Sequence, residues 1–125
     1  MSVTHRITHS LASDGAGGLS GAQEELGATE IKIDKNYAAG TSNELLSVAF
    51  TTAGLQSIFL LSDKNLTIET NDGTTPDDTI DLVAGTPFVW SKSPGYFPNP
   101  FGTDVTAFYV TCATAARLKG RILKA

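Results

Sequence analysis

Apolar and polar residues alternate along most of this chain. Leu46, Val48 and Phe50 fall on one side of an extended run, as do Leu66 and Ile68, Ile80 and Leu82, and Phe88 and Trp90. A spacing of two is the pattern of a strand with one buried face. From Ala28 onward such runs recur as "TEIKID", "ELLSVAF", "LQSIFLLS", "NLTIET", "DTIDLVA", "TPFVWSK", "VTAFYVTCA" and "ARLKGRILK", and "VTHRITH" adds a short strand near the N-terminus, so eight or nine strands are expected. No segment keeps a helical period for long, and "GAQEELG" offers one helical turn at most.

Turn-forming residues separate the runs. "SDKN" joins the run of Phe59 to that of Ile68, "NDGTTPDD" joins the latter to the run of Ile80, and "AGTP" leads to Trp90. Asp, Asn, Gly and Pro favour tight turns for distinct backbone reasons, and antiparallel connections are expected at all three places. Short strands broken by turns every 8–12 residues or about that predict an all-β fold, a single antiparallel β-sandwich of jelly-roll type over residues 28–125. Its inward residues are expected to be Phe50, Ile58, Leu60, Ile68, Leu82, Trp90, Phe108, Val110, Leu118 and Ile122. Residues 1–27 read as an N-terminal arm that can hold the one short strand. Within it "SDGAGGLSGAQEELG", Ser13 to Gly27, is glycine-rich and reads as flexible chain suited to covering a neighbouring subunit's edge.

Composition narrows the function classes. A length of 125 residues, 41% hydrophobic and 18% charged, suits one globular domain. A net charge of −4 argues against nucleic-acid binding, which needs a concentrated basic surface. The single cysteine excludes an internal disulfide and a cysteine-rich zinc site. The first residues lack the pattern of a secretory signal, and no apolar run is long enough to cross a bilayer, so a cytoplasmically made protein without membrane partners is expected.

Few residues suggest catalysis. His5 and His9 share one side of their strand and can in principle meet a metal together, but no third ligand is visible and a solvated strand face is the preferred reading. Cys112 alternates with Phe108 and Val110 and belongs to the apolar side. "GAGGLSG" lacks the Lys-Ser/Thr pair of a phosphate loop. "NDGTTPDD" offers oxygen ligands to calcium but not at EF-hand spacing, and is read as a solvated turn. Nothing resembles a nucleophile elbow. No enzyme, cofactor or metal site is expected.

Two segments instead suggest docking. "SPGYFPNPFGTD", Ser93 to Asp104, sets Tyr96, Phe97 and Phe101 on a loop stiffened by three prolines. Rings on a preorganised loop lose little entropy on binding, and all three are candidate partner contacts, the alternative being that they lid their own sandwich. In "ARLKGRILK", Arg117, Lys119 and Arg121 share one side of the last strand. That ladder of like charge is suited either to an acidic partner or to protecting a sheet edge.

Taken together, "LLSVAFTTAGLQSIFLLSDKNLTIETN", "PDDTIDLVAGTPFVW" and "NPFGTDVTAFYVTCATAARLKGRILKA" resemble the small all-β virion proteins of tailed bacteriophages and their prophages over residues 29–124. The resemblance implies a structural protein of the virion, above all a capsid decoration (cement) protein that binds and stabilises the head shell. Its partners would be the major capsid protein or other virion proteins, and it would form a homo-oligomer, preferably a trimer. A neck, tail or fibre component is the first alternative. A carbohydrate-binding module in which Trp90, Tyr96 or Phe97 stacks on sugar is the second.

Overall fold

The period-two runs are strands, except that the run of Leu46, Val48 and Phe50 leaves its strand after Leu46, with Val48 outside any strand and Phe50 making only an isolated bridge. The computed structural model describes residues 2–125, and among them there is no helix. Ten strands follow one another in chain order: β1 (Val3–Leu11), β2 (Leu19–Gly27), β3 (Thr29–Tyr37), β4 (Thr41–Leu46), β5 (Leu55–Ser62), β6 (Leu66–Thr70), β7 (Thr79–Leu82), β8 (Phe88–Ser91), β9 (Phe108–Cys112) and β10 (Ala116–Lys124). They form two four-stranded sheets, β3-β10-β5-β8 and β4-β9-β6-β7, and a two-stranded hairpin, β1-β2. Every pairing is antiparallel.

Most short turns cross from one sheet to the other, which corrects part of the sequence reading. "SDKN" connects β5 to β6 and "AGTP" precedes β8, yet the strands on either side of each lie in different sheets; "NDGTTPDD" alone among the three closes a hairpin, β6-β7. A tight turn reverses the chain but does not choose its next neighbour, and the apolar faces met on the way make that choice. The crossing turns gather at two ends. At one, Gly85 N–H donates to Ser62 O at 2.8 Å and Gly40 N–H to Ala113 O at 3.2 Å. At the other, Phe50 and Val105 form an isolated bridge and Asn71 N–H donates to Ala107 O at 2.9 Å.

Inward residues of both four-stranded sheets belong to one buried cluster. All ten expected residues are in it, including Ile58, Leu118 and Ile122 from the first sheet and Ile68, Phe108 and Val110 from the second, and all six of these have no exposed surface. Phe108 meets Phe50 edge-on, with ring centroids 6.4 Å apart at 87°.

The N-terminal segment departs from expectation. Leu19–Gly27 is a strand, not flexible chain or a helical turn, and it pairs with β1 from Val3↔Gly27 to Leu11↔Leu19. Its wet side conceals the signal, because the residues that turn inward include Gln23 and Glu25 where an apolar residue would have marked a strand. The hairpin lies on the outer side of the β3-β10-β5-β8 sheet. His5 reaches Ser57 of β5 and Glu30 of β3, Gln23 bonds Ser91 of β8, and Ile7 is buried. Gly27 permits the close approach: a Cβ there would stand 2.7 Å from Leu123 Cγ of β10. Only Ala28 separates β2 from β3, and its N–H donates to Lys124 O at 2.9 Å. With so short a link the hairpin follows directly into β3 and packs on the sheet of its own chain.

Phe108→Ala should destabilise the protein by about 3–5 kcal/mol, the cost of an emptied aromatic site in a packed core, read from urea denaturation. Tyr37 gives a second test. Burial pushes its phenol up to about 12, with the Glu44 carboxylate adding to the shift. A raised pKa leaves stability intact below the unfolded value of about 10. Between there and the folded value the unfolded chain releases a proton that the folded chain keeps, so stability falls as pH rises. Tyr37→Phe is expected to remove this part of the alkaline loss, measured as urea midpoints at increasing pH.

Candidate docking surface

The connection from β8 to β9 carries the aromatic loop, and hydrogen bonds hold it at both ends. Near its start, Ser91 Oγ donates to Ser93 O at 2.8 Å, and Ser93 N–H donates to the buried Glu25 carboxylate of the hairpin. The Ser93–Pro94 bond is cis, and Gly95 has φ 86°, a conformation that a Cβ disfavours. Trp90 Nε1–H donates to Phe97 O at 3.1 Å, tying the middle of the loop to the sheet. Farther on, Asn99 Nδ2–H donates to Thr52 O at 3.0 Å, and its Oδ1 accepts Phe101 N–H at 2.9 Å.

This bonding separates the three rings. Tyr96 is 83% exposed and Phe97 74%, so both stand in solvent on a restrained backbone. Phe101 is 1% exposed and meets Phe50 edge-on at 5.1 Å. It belongs to the core, which corrects its assignment as a partner contact. The Asn99 side chain turns the chain inward just before it, and the local pattern of rings and prolines carries no mark of that turn. Trp90 is buried too, with one edge on a notch beside the exposed rings. The notch, of about 70 Å³, is lined by His9 and Gln23 of the hairpin along with Tyr96 and Phe97.

Arg117, Lys119 and Arg121 do share one exposed side of β10. β10 is an inner strand paired on both sides, so the edge-protection reading does not hold. Nor are the three charges alike in surroundings. Arg117 Nε–H and Nη2–H each donate to Asp34 of β3 at 2.8 Å, a two-point contact. The Arg117 guanidinium holds the Asp34 carboxyl below the usual carboxylate range, and Lys119 and Arg121 add to that pull. Lys119 and Arg121 make no ion pair among the described residues.

The remaining candidates have local roles. His5 Nε2 stands 2.5 Å from Glu30 Oε2, and its Nδ1 stands 2.5 Å from Ser57 Oγ, so the ring bridges β3 and β5. Although Ser, His and Glu line up, Ser57 has no exposed surface and cannot be reached by a substrate. His9 is exposed and Cys112 buried. Asp72 accepts Thr74 N–H at 2.8 Å, and this bond, with a second from Thr75 N–H, lowers its pKa. Among the described residues no group of three or more His, Cys, Asp or Glu is placed to hold a metal ion. Gln23, Glu25 and Ser91, which brace the loop, escaped the sequence reading because they act across 68 residues of chain.

The fold and site define an antiparallel all-β protein that presents two rings on a braced loop. Comparison with family models, curated proteins and solved structures finds no match to this chain.

The three rings should separate in a stability measurement. Tyr96→Ala and Phe97→Ala are expected to stay within about 0.5 kcal/mol of the parent, as exposed positions do. Phe101→Ala should cost about 3–5 kcal/mol. Equal losses at all three positions would contradict the division between core and surface.

Proposed function

We propose that the chain is a structural protein of a virion, foremost a capsid decoration protein that docks on the head shell of a tailed bacteriophage. The observation that carries the docking reading is the pair of exposed rings, Tyr96 and Phe97, on a loop bonded at both ends. Aromatic side chains dominate the binding energy of protein interfaces, and a loop already ordered has less entropy to lose. We read the body as a jelly-roll sandwich. Support comes from eight strands divided between two sheets in the orders β3-β10-β5-β8 and β4-β9-β6-β7, the arrangement of a double Greek key. Jelly rolls are used in viral capsid and lectin domains, which suits the reading by analogy of fold. The resemblance over residues 29–124 directs it to tailed phages.

A role in the neck, tail or fibre would use the same rings, and copy number separates it from decoration. A carbohydrate-binding module is a second reading, favoured by the polar notch of His9 and Gln23 beside Tyr96 and Phe97. A glycan-array screen tests it directly.

Quantitative mass spectrometry of purified particles of the encoding phage should find the chain in hundreds of copies. Particles stripped of it should rebind the purified protein, and Tyr96→Ala or Phe97→Ala should weaken rebinding by about 2 kcal/mol or more without unfolding the protein. A few copies per particle would point to neck or tail, and absence from particles would reject the virion reading.

A further inference from the structure

The β1-β2 hairpin covers only one end of the outer side of the β3-β10-β5-β8 sheet. Register brings Glu30, Leu123 and Ser57 side by side beneath it. Two rows farther along β10 lie outside this cover. In one, Arg121 stands between Lys32 and Phe59; in the next, Lys119 stands between Asp34 and Leu61. Lys32, Lys119 and Arg121 are exposed and make no ion pair among the described residues, whereas Asp34 is already taken by Arg117. Phe59, 36% exposed, supplies apolar surface beside them, and a shallow depression of about 340 Å³ lies among these groups.

The other sheet has the opposite sign. None of β4, β6, β7 and β9 contains a lysine or an arginine. By contrast β3 holds two basic residues and β10 four, six of the nine in the chain. On the outer side of the β4-β9-β6-β7 sheet, register places Tyr109 between Leu45 and Glu69, with Asp81 opposite Thr67 in the adjoining row. Asp81 accepts the Thr67 hydroxyl at 2.9 Å, and neither it nor Glu69 meets a cation among the described residues. Leu45 is 54% exposed. Each sheet thus turns outward a mixture of apolar groups and unpaired charge, of opposite sign on the two sides.

We propose that the uncovered basic part of the β3-β10-β5-β8 sheet docks the acidic outer side of the β4-β9-β6-β7 sheet of a second copy of this chain. The contact is head-to-tail, so each copy offers one basic and one acidic surface, and repetition closes a ring or extends a stack. Complementary charge favours this pairing over like sides meeting, which would set cations on cations or carboxylates on carboxylates. The net charge of −4 opposes association at long range. Salt near the physiological level screens beyond about 8 Å, so the local complement prevails at contact. The proposal stands independently of the virion reading, because the contact can be measured on the purified protein.

Sedimentation velocity on the full chain tests it, together with two fold-preserving surface variants checked by circular dichroism. Lys119→Ser with Arg121→Ser removes charge from the basic side, and Glu69→Gln with Asp81→Asn removes it from the acidic side. The parent should self-associate near about 0.15 M salt and dissociate near about 1 M, where the screening length is about 3 Å. Each variant alone should associate roughly tenfold more weakly or worse. Mixed, the two should form a one-to-one pair that does not grow, since each retains the surface the other lacks. A parent that stays monomeric near about 0.15 M salt overturns the proposal. So does association that neither salt nor either variant weakens, or a mixture that fails to pair while the parent associates.

Discussion

β10 runs between β3 and β5 and is hydrogen-bonded to both, so the last strand of the chain closes a sheet whose first strand begins at Thr29. Much of the molecule depends on that placement. Its inward Leu118 and Ile122 join the core, and its outward Lys119 and Arg121 set the charge of an exposed face. Leu123 at its far end lies under the hairpin, close against Gly27. An inner strand must satisfy donors and acceptors on both sides, so it is fixed in register by two partners at once.

The aromatic loop shows how equal side chains take unequal roles. Phe97 and Phe101 have the same ring and the same transfer free energy, yet one is exposed and the other buried. Backbone bonds decide between them. Phe97 O accepts from Trp90 and holds its residue at the rim, whereas Asn99 turns the chain so that Phe101 drops onto Phe50. Exposing a large ring is unfavourable in an isolated monomer, and a loop that sustains two such rings by hydrogen bonding is suited to a partner that covers them.

Electrostatics divides along the sheets. The basic residues concentrate on β3 and β10, and the other four-stranded sheet has none on its strands. Within the basic sheet, Arg117 and Asp34 neutralise each other in a two-point contact, which reduces the ladder of three expected from spacing to two unpaired charges, with Lys32 beside them. Repulsion along β10 is thereby eased at one end and left open where a carboxylate from outside can approach.

Local chemistry was enough to establish the all-β class, most strands from Thr29 onward and the buried residues, because alternation with a period of two is imposed by the strand itself; Val48 and Phe50 keep the alternation although their strand ends at Leu46. Phe108, Val110 and Cys112 could be assigned to one side without knowledge of any neighbour. The strand of Leu19–Gly27 was hidden because its buried positions, Gln23 and Glu25, are polar and gain partners only from Ser91 and Ser93. Which turns close hairpins and which cross between sheets also escaped local reading, as did the burial of Phe101 and the pairing of Arg117 with Asp34. Each depends on residues far apart in the chain, from 51 positions for Phe50 with Phe101 to 83 for Asp34 with Arg117. A pattern of neighbouring residues records which way a side chain points; what it meets there is set only when distant segments pack.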